Sequence, residues 1–516
     1  MKNKLLLIII FFYFFNGKTL NAQEIKIIKG EMIKSKMEIL QIVGEIDKRV
    51  YTVFYAKKNY YLRTYNKDLS VDKNVVIPMT YKDKKLEIHS LVMIMNHLYS
   101  LGQFNNKKTH KRYLLYQEHD PKTLKVIKKW QVLGEIPYEK RKRSGDFSFS
   151  YSENKKRVLI YHYLPYKKGS SQKIAFSVLD SSMNRLWHKE VTLPYTDELF
   201  AVKDFEVDDF GNVYVIGKKW KGKAVDIVNH KINFSFNILR YSEDDDQVEY
   251  KLALKDKYIT QVKLAVDMQL NLICAGFYTN TKDLYSLGGS FLLKIEADGG
   301  DVVVSETKDF STEFITSLLS KRKKEKAKKK KKKGKTIEMP EYNLDNLVIR
   351  DDGGVLLVGE RDYIRTHVYT DANGTHTVYT YYSENIIVVN FNPDGTVKWM
   401  RRVPKSQSSS IPDYLSYVTV IHDDNIYFLY NDHINNAKVK RDEERGHFNV
   451  RASKSNLVAY RINSDGETEY LPLFAAANDD TLVVPNVSKQ LKESQDVILY
   501  SDYGKRQRLY RIEFED

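Results

Sequence analysis

The chain has 516 residues, 42% of them hydrophobic and 29% charged, with a formal net charge of +16. Twelve basic residues and one acid lie in the segment 321–335, and three further basic residues lie in the first 22, so the remaining chain has a net charge of about +2. This near-neutral body excludes the whole-surface basic footprint of a general nucleic-acid-binding protein, and a single cysteine, Cys274, excludes an internal disulfide.

The first 22 residues have the pattern of a secretory signal peptide. A basic start at Lys2 and Lys4 precedes an apolar run over 5–15 and a polar stretch that ends at Ala22. A membrane anchor is the competing interpretation, but a spanning helix needs about 20 apolar residues and this run is shorter. We therefore expect cleavage near Ala22 and a mature chain over 23–516 without a transmembrane segment. Such a chain would lie in the periplasm, at the cell surface or outside the cell.

One module then recurs along almost the whole chain: a strand, a tight turn and a second strand, followed by another pair of strands. A clear first half is VKDFEVDDFGNVYVIGKKW at 202–220, and a clear second half is LVAYRINSDGETEY at 457–470. The first halves are predicted near 37–57, 86–106, 147–165, 202–220, 262–280, 344–362, 415–433 and 484–504. The second halves are predicted to begin near Tyr60, Arg112, Ala175, Phe236, Phe291, Ile387 and Leu457, with one last strand over 508–514.

A spare strand at 24–30 supplies the one strand that the last pair lacks, which brings the prediction to 32 strands, or eight sheets of four. This repeat resembles the β-propeller superfamily, in which four-stranded blades stack around an axis and bury both of their faces. The resemblance implies an all-β fold with one propeller over 23–516, closed by strand 24–30 pairing in the last blade. Seven blades are the alternative, because the turns of the first, second and last modules are irregular.

No motif assigns the chain to a propeller subfamily. Signatures of WD-type and kelch repeats and of sialidase-type Asp boxes do not recur, and a quinoprotein-type motif is matched well only once, at 393–399. An adjacent cysteine pair is also absent from the sequence. The sequence therefore predicts no cofactor.

The predicted propeller has two different faces. Turns within strand pairs are short and rich in Asp, Asn and Gly, whereas the connections 218–235, 277–290, 360–386 and 430–456 are long and should leave from one face. Segment 364–382 alternates around an Asn-Gly pair, which indicates a hairpin above its blade. Long loops rich in Tyr and Arg are typical of recognition surfaces, although these aromatics could instead pack together as a lid. The predicted partner-binding residues are Trp220, Tyr285, Tyr363, Arg365, His367, Tyr379, Tyr381, Arg441 and His447.

The lysine-rich segment 321–335 interrupts a connection from about 309 to 343 that should leave from the same face. Before it, 311–319 predicts a short capped helix that buries Phe314 and two leucines. The block of like charges predicts a solvated, disordered loop. A more specific hypothesis is that this loop binds an anionic lipid, glycan or protein electrostatically. The lysines assigned to that role are Lys328, Lys329, Lys330, Lys331, Lys332 and Lys333.

No nucleophile elbow, P-loop or dinucleotide fingerprint is present, and no pair among His367, His376, His433 and His447 has zinc-type spacing. The sequence therefore predicts no metal and leans towards a monomeric, non-enzymatic protein that binds an envelope protein or an anionic glycan or lipid. It predicts no nucleic-acid partner. Acids near these histidines leave a carbohydrate-active hydrolase or lyase as one alternative. A structural subunit of an envelope secretion or motility assembly is the other.

Overall fold

The computed structural model describes residues 24–138, 145–222, 231–244, 247–296, 299–317, 324–325, 329, 332, 339–340, 342–372, 374–439 and 445–515. The predicted signal peptide and most of the lysine-rich segment 321–335 lie outside these residues. Within them, no helix is long and apolar enough to cross a membrane.

The described chain is nearly all β and forms eight successive sheets of four to six strands, with two small two-stranded ladders. It begins with β1 (Glu24–Lys29) and β2 (Ile33–Lys34). Sheet 1 contains β3 (Glu38–Ile46), β4 (Arg49–Ala56), β5 (Asn59–Tyr65) and β6 (Val71–Val76), and it is followed by the small ladder of β7 (Thr80–Tyr81) and β8 (Lys84–Lys85). Sheet 2 contains β9 (Glu87–Ile94), β10 (His97–Asn106), β11 (Lys111–His119) and β12 (Val126–Pro137). Sheet 3 contains β13 (Ser148–Tyr151), β14 (Arg157–Leu164), β15 (Ser171–Asp180) and β16 (Arg185–Thr196).

The same order continues in the second half of the chain. Sheet 4 contains β17 (Phe200–Val207), β18 (Val213–Trp220), β19 (Phe234–Tyr241) and β20 (Val248–Leu252). Sheet 5 contains β21 (Tyr258–Val266), β22 (Asn271–Thr279), β24 (Gly289–Glu296) and β25 (Val302–Asp309). The short strand β23 (Ser286–Leu287) pairs with β26 (Met339–Pro340), and helix α1 (Thr312–Ser317) lies between β25 and β26 in the sequence. Sheet 6 contains β27 (Asn343–Ile349), β28 (Val355–Asp371), β29 (Gly374–Phe391), β30 (Val397–Val403) and β31 (Gln407–Ser409).

The last two sheets complete the series. Sheet 7 contains β32 (Val418–His422), β33 (Asn425–His433), β34 (Ser455–Ile462) and β35 (Thr468–Ala475). Sheet 8 contains β36 (Leu482–Val483), β37 (Lys489–Gln490), β38 (Val497–Tyr503) and β39 (Arg506–Glu515), together with β1 and β2. Short 3-10 helices cover Pro412–Tyr414, Ile434–Lys438, Ala452–Lys454 and Ala476–Asn478.

The recurring turns explain why the strands end where they do. Before β18, one oxygen of Asp208 accepts hydrogen bonds from the backbone N–H groups two, three and four residues later, at 2.9, 2.8 and 2.8 Å. Asp267 accepts in the same way from the residues two and four positions later, at 3.0 and 2.8 Å. These bonds satisfy donors that the strand ladder leaves unpaired, so a short acid at this position stabilises the turn.

Apolar side chains fill the space between each sheet and the next. Phe205 of sheet 4 lies in one cluster with Phe176 of sheet 3. Equivalent clusters join sheets 1 and 2, 2 and 3, 4 and 5, 5 and 6, 6 and 7, and 7 and 8. Sheet 8 also packs against sheet 1, through a cluster that contains Ile498 and both Ile42 and Phe54. The fold is a β-propeller, as the recurring module predicts.

Polar contacts between the first strands of neighbouring sheets follow the same path. They join Gln41 Nε2 to Leu91 O at 3.0 Å, His89 Nε2 to Phe147 O at 3.1 Å, Ser150 Oγ to Glu206 Oε2 at 3.4 Å, Lys263 Nζ to Asp204 Oδ2 at 3.6 Å, Leu344 N to Gln261 Oε1 at 3.0 Å, Asn346 Nδ2 to Thr419 Oγ1 at 3.2 Å, Gln490 Nε2 to Ile421 O at 2.7 Å, and Lys489 Nζ to Val43 O at 2.7 Å. Each sheet is thereby bonded to the next, and sheet 8 is bonded to sheet 1.

The two ends of the described chain lie in one sheet. All six residues of β1 pair antiparallel with β39. Beside this ladder, the fully buried Arg511 forms ion pairs with Glu45 Oε2 at 3.1 Å and with Asp496 Oδ2 at 3.2 Å. Since Glu45 belongs to sheet 1, the last strand of the chain is joined to the first sheet by a buried charge pair as well as by apolar packing.

Two details differ from the sequence predictions, and one predicted element is confirmed. The first strand of sheet 8 is broken into β36 and β37 around Pro485, which has no N–H to donate to a ladder. The hairpin that the alternation over 364–382 indicates is present, because β28 and β29 continue as one paired ladder through the connection 360–386. Helix α1 buries Ile315, whereas the expected core residue Phe314 is only partly buried. The two leucines of the predicted helix lie outside the described residues.

Candidate partner-binding face

The links between the first and second strands and between the third and fourth strands lie at one end of each sheet, and the other connections lie at the opposite end. We call these ends the turn face and the connection face. On the connection face, connections from different sheets contact each other: β23 pairs with β26, Lys231 bridges to Asp283, and Gln407 bridges to Phe448. These contacts hold together the connections of sheets 4, 5, 6 and 7.

A long hairpin extends from sheet 6 at the connection face. Its strands β28 and β29 have 17 and 18 residues, but their sheet neighbours β27 and β30 pair with them only as far as Glu360 and Ile386. Beyond those residues the two strands pair mainly with each other, and only β31 adds three residues at the base. We call this part, 361–384, the projecting hairpin.

One side of the projecting hairpin is a stack of aromatic rings and guanidinium groups. The rings of Tyr363 and Tyr382 are parallel with centroids 4.8 Å apart. Arg361 lies over the Tyr363 ring at 4.8 Å, and Arg365 lies over the Tyr382 ring at 4.9 Å. The Tyr363 hydroxyl donates to Glu384 at 2.8 Å, and desolvation together with this carboxylate raises the pKa of Tyr363 to about 12. These contacts stiffen the ladder at its base.

The other side of the hairpin is apolar and exposed. Ile364, Val368 and Tyr379 have exposed fractions of 57%, 64% and 52%. Ile364 lies opposite Tyr381 and Thr366 lies opposite Tyr379, so alternation along the strands places all of them on one side. Large side chains with this exposure on a paired ladder form a surface that other molecules can contact without rearrangement of the backbone.

The base of the hairpin is packed against the neighbouring connections. Tyr381 packs against an apolar cluster that contains the fully buried Phe448. Both ring nitrogens of His447 bond hydroxyl groups, Nδ1 with Ser406 at 2.8 Å and Nε2 with Ser408 at 2.6 Å, and desolvation lowers the pKa of His447. Tyr381 and His447 therefore hold the hairpin in place, which is the role that the lid interpretation gave to such residues.

A buried ion pair lies where the hairpin leaves sheet 6. The ammonium group of the fully buried Lys405 contacts Glu360 at 2.5 Å and donates to Ser383 at 2.8 Å and to Gln407 at 3.0 Å. Glu360 also accepts from Ser416 at 2.8 Å. Burial lowers the pKa of Lys405, and the adjacent carboxylate opposes that shift. Loss of either charge would leave the other one buried and unpaired.

Asp345, on the first strand of sheet 6, lies near this pair. Its carboxylate accepts from the Tyr417 hydroxyl at 2.5 Å. Burial raises the pKa of Asp345 to about 7, the Tyr417 hydrogen bond opposes the rise, and the charges of Glu360 and Asp362 add to it. Sequence reasoning missed Asp345, Glu360, Lys405 and Tyr417. They come from separate elements, so no spacing in the sequence brings them together.

The structure brings together some of the predicted partner-binding residues. Tyr363, Arg365, His367, Tyr379 and Tyr381 all belong to the projecting hairpin, with His447 at its base. Trp220, expected in a connection, is instead the last residue of β18 and packs edge-on against Phe234 of β19. Tyr285 lies in the connection of sheet 5 and is about half exposed.

The remaining predicted residues are mostly outside the described chain. Arg441, Lys328, Lys330, Lys331 and Lys333 are not described, while Lys329 and Lys332 are exposed. Among the residues with described placement, no three His, Cys, Asp or Glu side chains converge as a metal-binding group. His376 pairs with Asp371 at 3.0 Å. Cys274 is fully buried, which raises the pKa of its thiol.

No protein-family model matches the chain, and no curated protein matches it. The solved structures that it resembles include the β-propeller domain of the Trilobed protease from Pyrococcus furiosus, at 11% identity and a TM-score of 0.34, covering 86% of this chain and 98% of that one. The WD40 domain of SCAP from fission yeast matches at 8% identity and a TM-score of 0.39, covering 95% and 94%. The acylaminoacyl peptidase of Pyrococcus horikoshii matches at 10% identity and a TM-score of 0.35, covering 92% of this chain and 60% of that one.

Proposed function

We propose that the chain is an exported, non-enzymatic β-propeller that binds a macromolecular partner of the cell envelope through the projecting hairpin. The observation that carries this proposal is the exposed apolar side of the hairpin, formed by Ile364, Val368 and Tyr379. Its ladder is fixed by the tyrosine stack and by the buried Lys405–Glu360 pair. A rigid apolar surface favours association, because little conformational freedom is lost when a partner covers it.

The proposed scaffold is one monomeric ring of eight blades, closed by β1. The apolar clusters that connect each sheet to the next and sheet 8 to sheet 1 support the ring. The β1–β39 ladder supports its closure. Export to the periplasm or cell surface is supported by the pattern of the first 22 residues, and removal of that segment is tested by N-terminal sequencing of protein taken from the envelope fraction.

A variant of the apolar side tests the binding proposal. In it, Ile364→Ser, Val368→Ser and Tyr379→Ser are combined, and tagged protein is used to capture partners from a solubilised envelope fraction. We expect a partner captured by the wild type to be lost. The melting temperature should change by no more than about 2 °C, because exposed side chains contribute little to stability.

The control removes equally exposed apolar groups elsewhere. Phe210, Val302 and Val303 are 66%, 55% and 49% exposed but do not belong to the connection face. The combined variant Phe210→Ser, Val302→Ser and Val303→Ser should capture the same partner as the wild type. Equal capture by the hairpin variant and the control variant would refute the role of the hairpin.

A carbohydrate-active hydrolase or lyase is the second candidate. The observation that favours it is Asp345, a carboxyl group with a pKa raised to about 7 beside two other acids, as a general acid requires. A screen on neutral and acidic glycans tests this function. Turnover that Asp345→Asn abolishes, and that Asp413→Asn in a neighbouring connection leaves intact, would favour the enzyme over the binding protein.

A further inference from the structure

The two faces of the propeller carry opposite charge. Among the described residues, the connection face has 27 Lys or Arg and 15 Asp or Glu, whereas the turn face has 8 and 19. The connection face comprises 30–37, 57–58, 77–86, 107–110, 138–147, 165–170, 197–199, 221–233, 253–257, 280–288, 310–342, 361–384, 404–417, 434–454, 476–481 and 504–505. The turn face comprises 47–48, 66–70, 95–96, 120–125, 152–156, 181–184, 208–212, 242–247, 267–270, 297–301, 350–354, 392–396, 423–424, 463–467 and 491–496.

The basic excess is concentrated in pairs of lysines near sheets 1 and 2, away from the projecting hairpin. The connections 57–58, 77–86 and 107–110 contain seven lysines and a single acid, Asp83. Six of these lysines form three sequential pairs, and all six are exposed. We call them the lysine array: Lys57, Lys58, Lys84, Lys85, Lys107 and Lys108.

Backbone geometry does not account for the first pair of the array, Lys57 and Lys58. Lys57 and Lys58 occupy the two-residue turn between β4 and β5, with φ values of 48° and 65° in the left-handed region. Asn and Gly adopt that region with less strain than a long side chain does. A lysine pair at this turn costs conformational energy. It also adds two exposed charges, and the turn does not need either charge to form. The charge itself is therefore the feature that requires an explanation.

We propose that the lysine array docks the propeller on a bilayer that carries anionic phosphate head groups, with the acidic turn face directed away from it. The array comes from separate turns of neighbouring sheets on one end of the ring, so its charges are spread over an area. A flat anionic surface can contact such a spread of charges at once. The acidic turn face is repelled by the same surface, which selects one orientation. This inference rests on the proposed function in one respect, namely that the connection face is the face that binds. It does not depend on the projecting hairpin.

Vesicle binding tests the proposal. The probes are vesicles that contain phosphatidylglycerol and, as the neutral control, vesicles of phosphatidylcholine alone. The wild-type protein should sediment only with the anionic vesicles, and raised salt should release it, because the screening length falls from about 10 Å at 0.1 M to about 3 Å at 1 M. Replacing all six lysines of the array with Gln should weaken this binding at least tenfold.

The matched control removes six exposed lysines of the turn face. It combines Gln substitutions at Lys48, Lys67, Lys122, Lys125, Lys156 and Lys492, so that both variants have the same net charge. The control should bind the anionic vesicles within about twofold of the wild type. The proposal is overturned if the two variants weaken alike, if the wild type binds neutral vesicles equally well, or if it binds an acidic polysaccharide or acidic protein but no vesicle.

The same array variant separates this inference from the proposed function. It should still capture the partner that the hairpin binds, because the hairpin and the array lie on different sheets. Conversely, the Ile364, Val368 and Tyr379 variant should still bind anionic vesicles. Loss of vesicle binding in the hairpin variant alone would show that the hairpin, and not the array, contacts the bilayer.

Discussion

At the scale of single residues, burial sets the chemistry at the base of the projecting hairpin. Lys405 and Glu360 are buried as a bonded pair, whereas Asp345 has one hydroxyl partner and two nearby carboxylates. These three residues are far apart in the sequence, and their neighbours carry no motif. By contrast, His447 was predicted for partner binding because of its loop, but both of its ring nitrogens bond serines of the preceding connection, Ser406 and Ser408. Residue type and loop length predict a polar region, and only packing decides which side chains remain accessible.

Replacing Asp345 should reduce the dependence of stability on pH. Its pKa is raised from 3.8 to about 7, so the native protein retains a proton that the unfolded chain releases between about pH 4 and pH 7. The free energy of unfolding of the wild type should therefore fall as the pH rises through this window. At about pH 8 the Asp345→Asn variant should be more stable than the wild type by about 1 kcal/mol, a value reduced for partial exposure. Urea unfolding at about pH 4.5 and pH 8 measures the difference, and parallel pH profiles for both proteins would contradict it.

At the scale of elements, the repeat was the predictable part of this protein. Alternating apolar residues and Asp-based or Gly-based turns have a local physical cause, and the strand pairs lie close to their predicted positions. The departures also have local causes. Pro485 breaks the first strand of sheet 8. Continued pairing of β28 and β29 makes the connection 360–386 a hairpin, as predicted. The alternation over 364–382 indicated that hairpin, but it did not show which side would remain uncovered.

Removal of β1 should destabilise the whole propeller. A chain that starts at Gly30 loses the ladder to β39 and the packing of Ile25 and Ile27 against the cluster between sheets 7 and 8. Compared with a chain that starts at Gln23, its free energy of unfolding should be lower by about 3 kcal/mol or more, from the apolar contacts alone. Urea unfolding measures this change. The uncovered edge of β39 should also promote aggregation, which light scattering detects. An unchanged unfolding midpoint would mean that β1 does not close the ring.

At the scale of the whole molecule, the net charge outside 1–22 and 321–335 is close to zero, although basic residues predominate on the connection face and acidic residues on the turn face. Successive turns and connections alternate between the two faces about every ten residues, so acidic and basic segments interleave along the sequence and cancel in any total. The strand order had to be known before the charges could be assigned to a face. Composition excluded a protein whose whole surface is basic. It could not show whether the basic residues are concentrated on one face.

The pairing of β1 with β39 places residues 24 and 515 side by side, so a short linker can join them. Lys26 and Glu513 bond each other although they are 487 residues apart, and bringing such distant strands together costs about 3 kcal/mol more in chain entropy than joining strands about ten residues apart. A circular permutant with a short linker from residue 515 to residue 24, and with new termini between Lys107 and Lys108, should keep the fold. It should also refold faster than the natural order, because the ladder between β1 and β39 becomes a local hairpin. The permuted chain would then start and end in a solvent-exposed turn, and a covalent link would hold β1 beside β39.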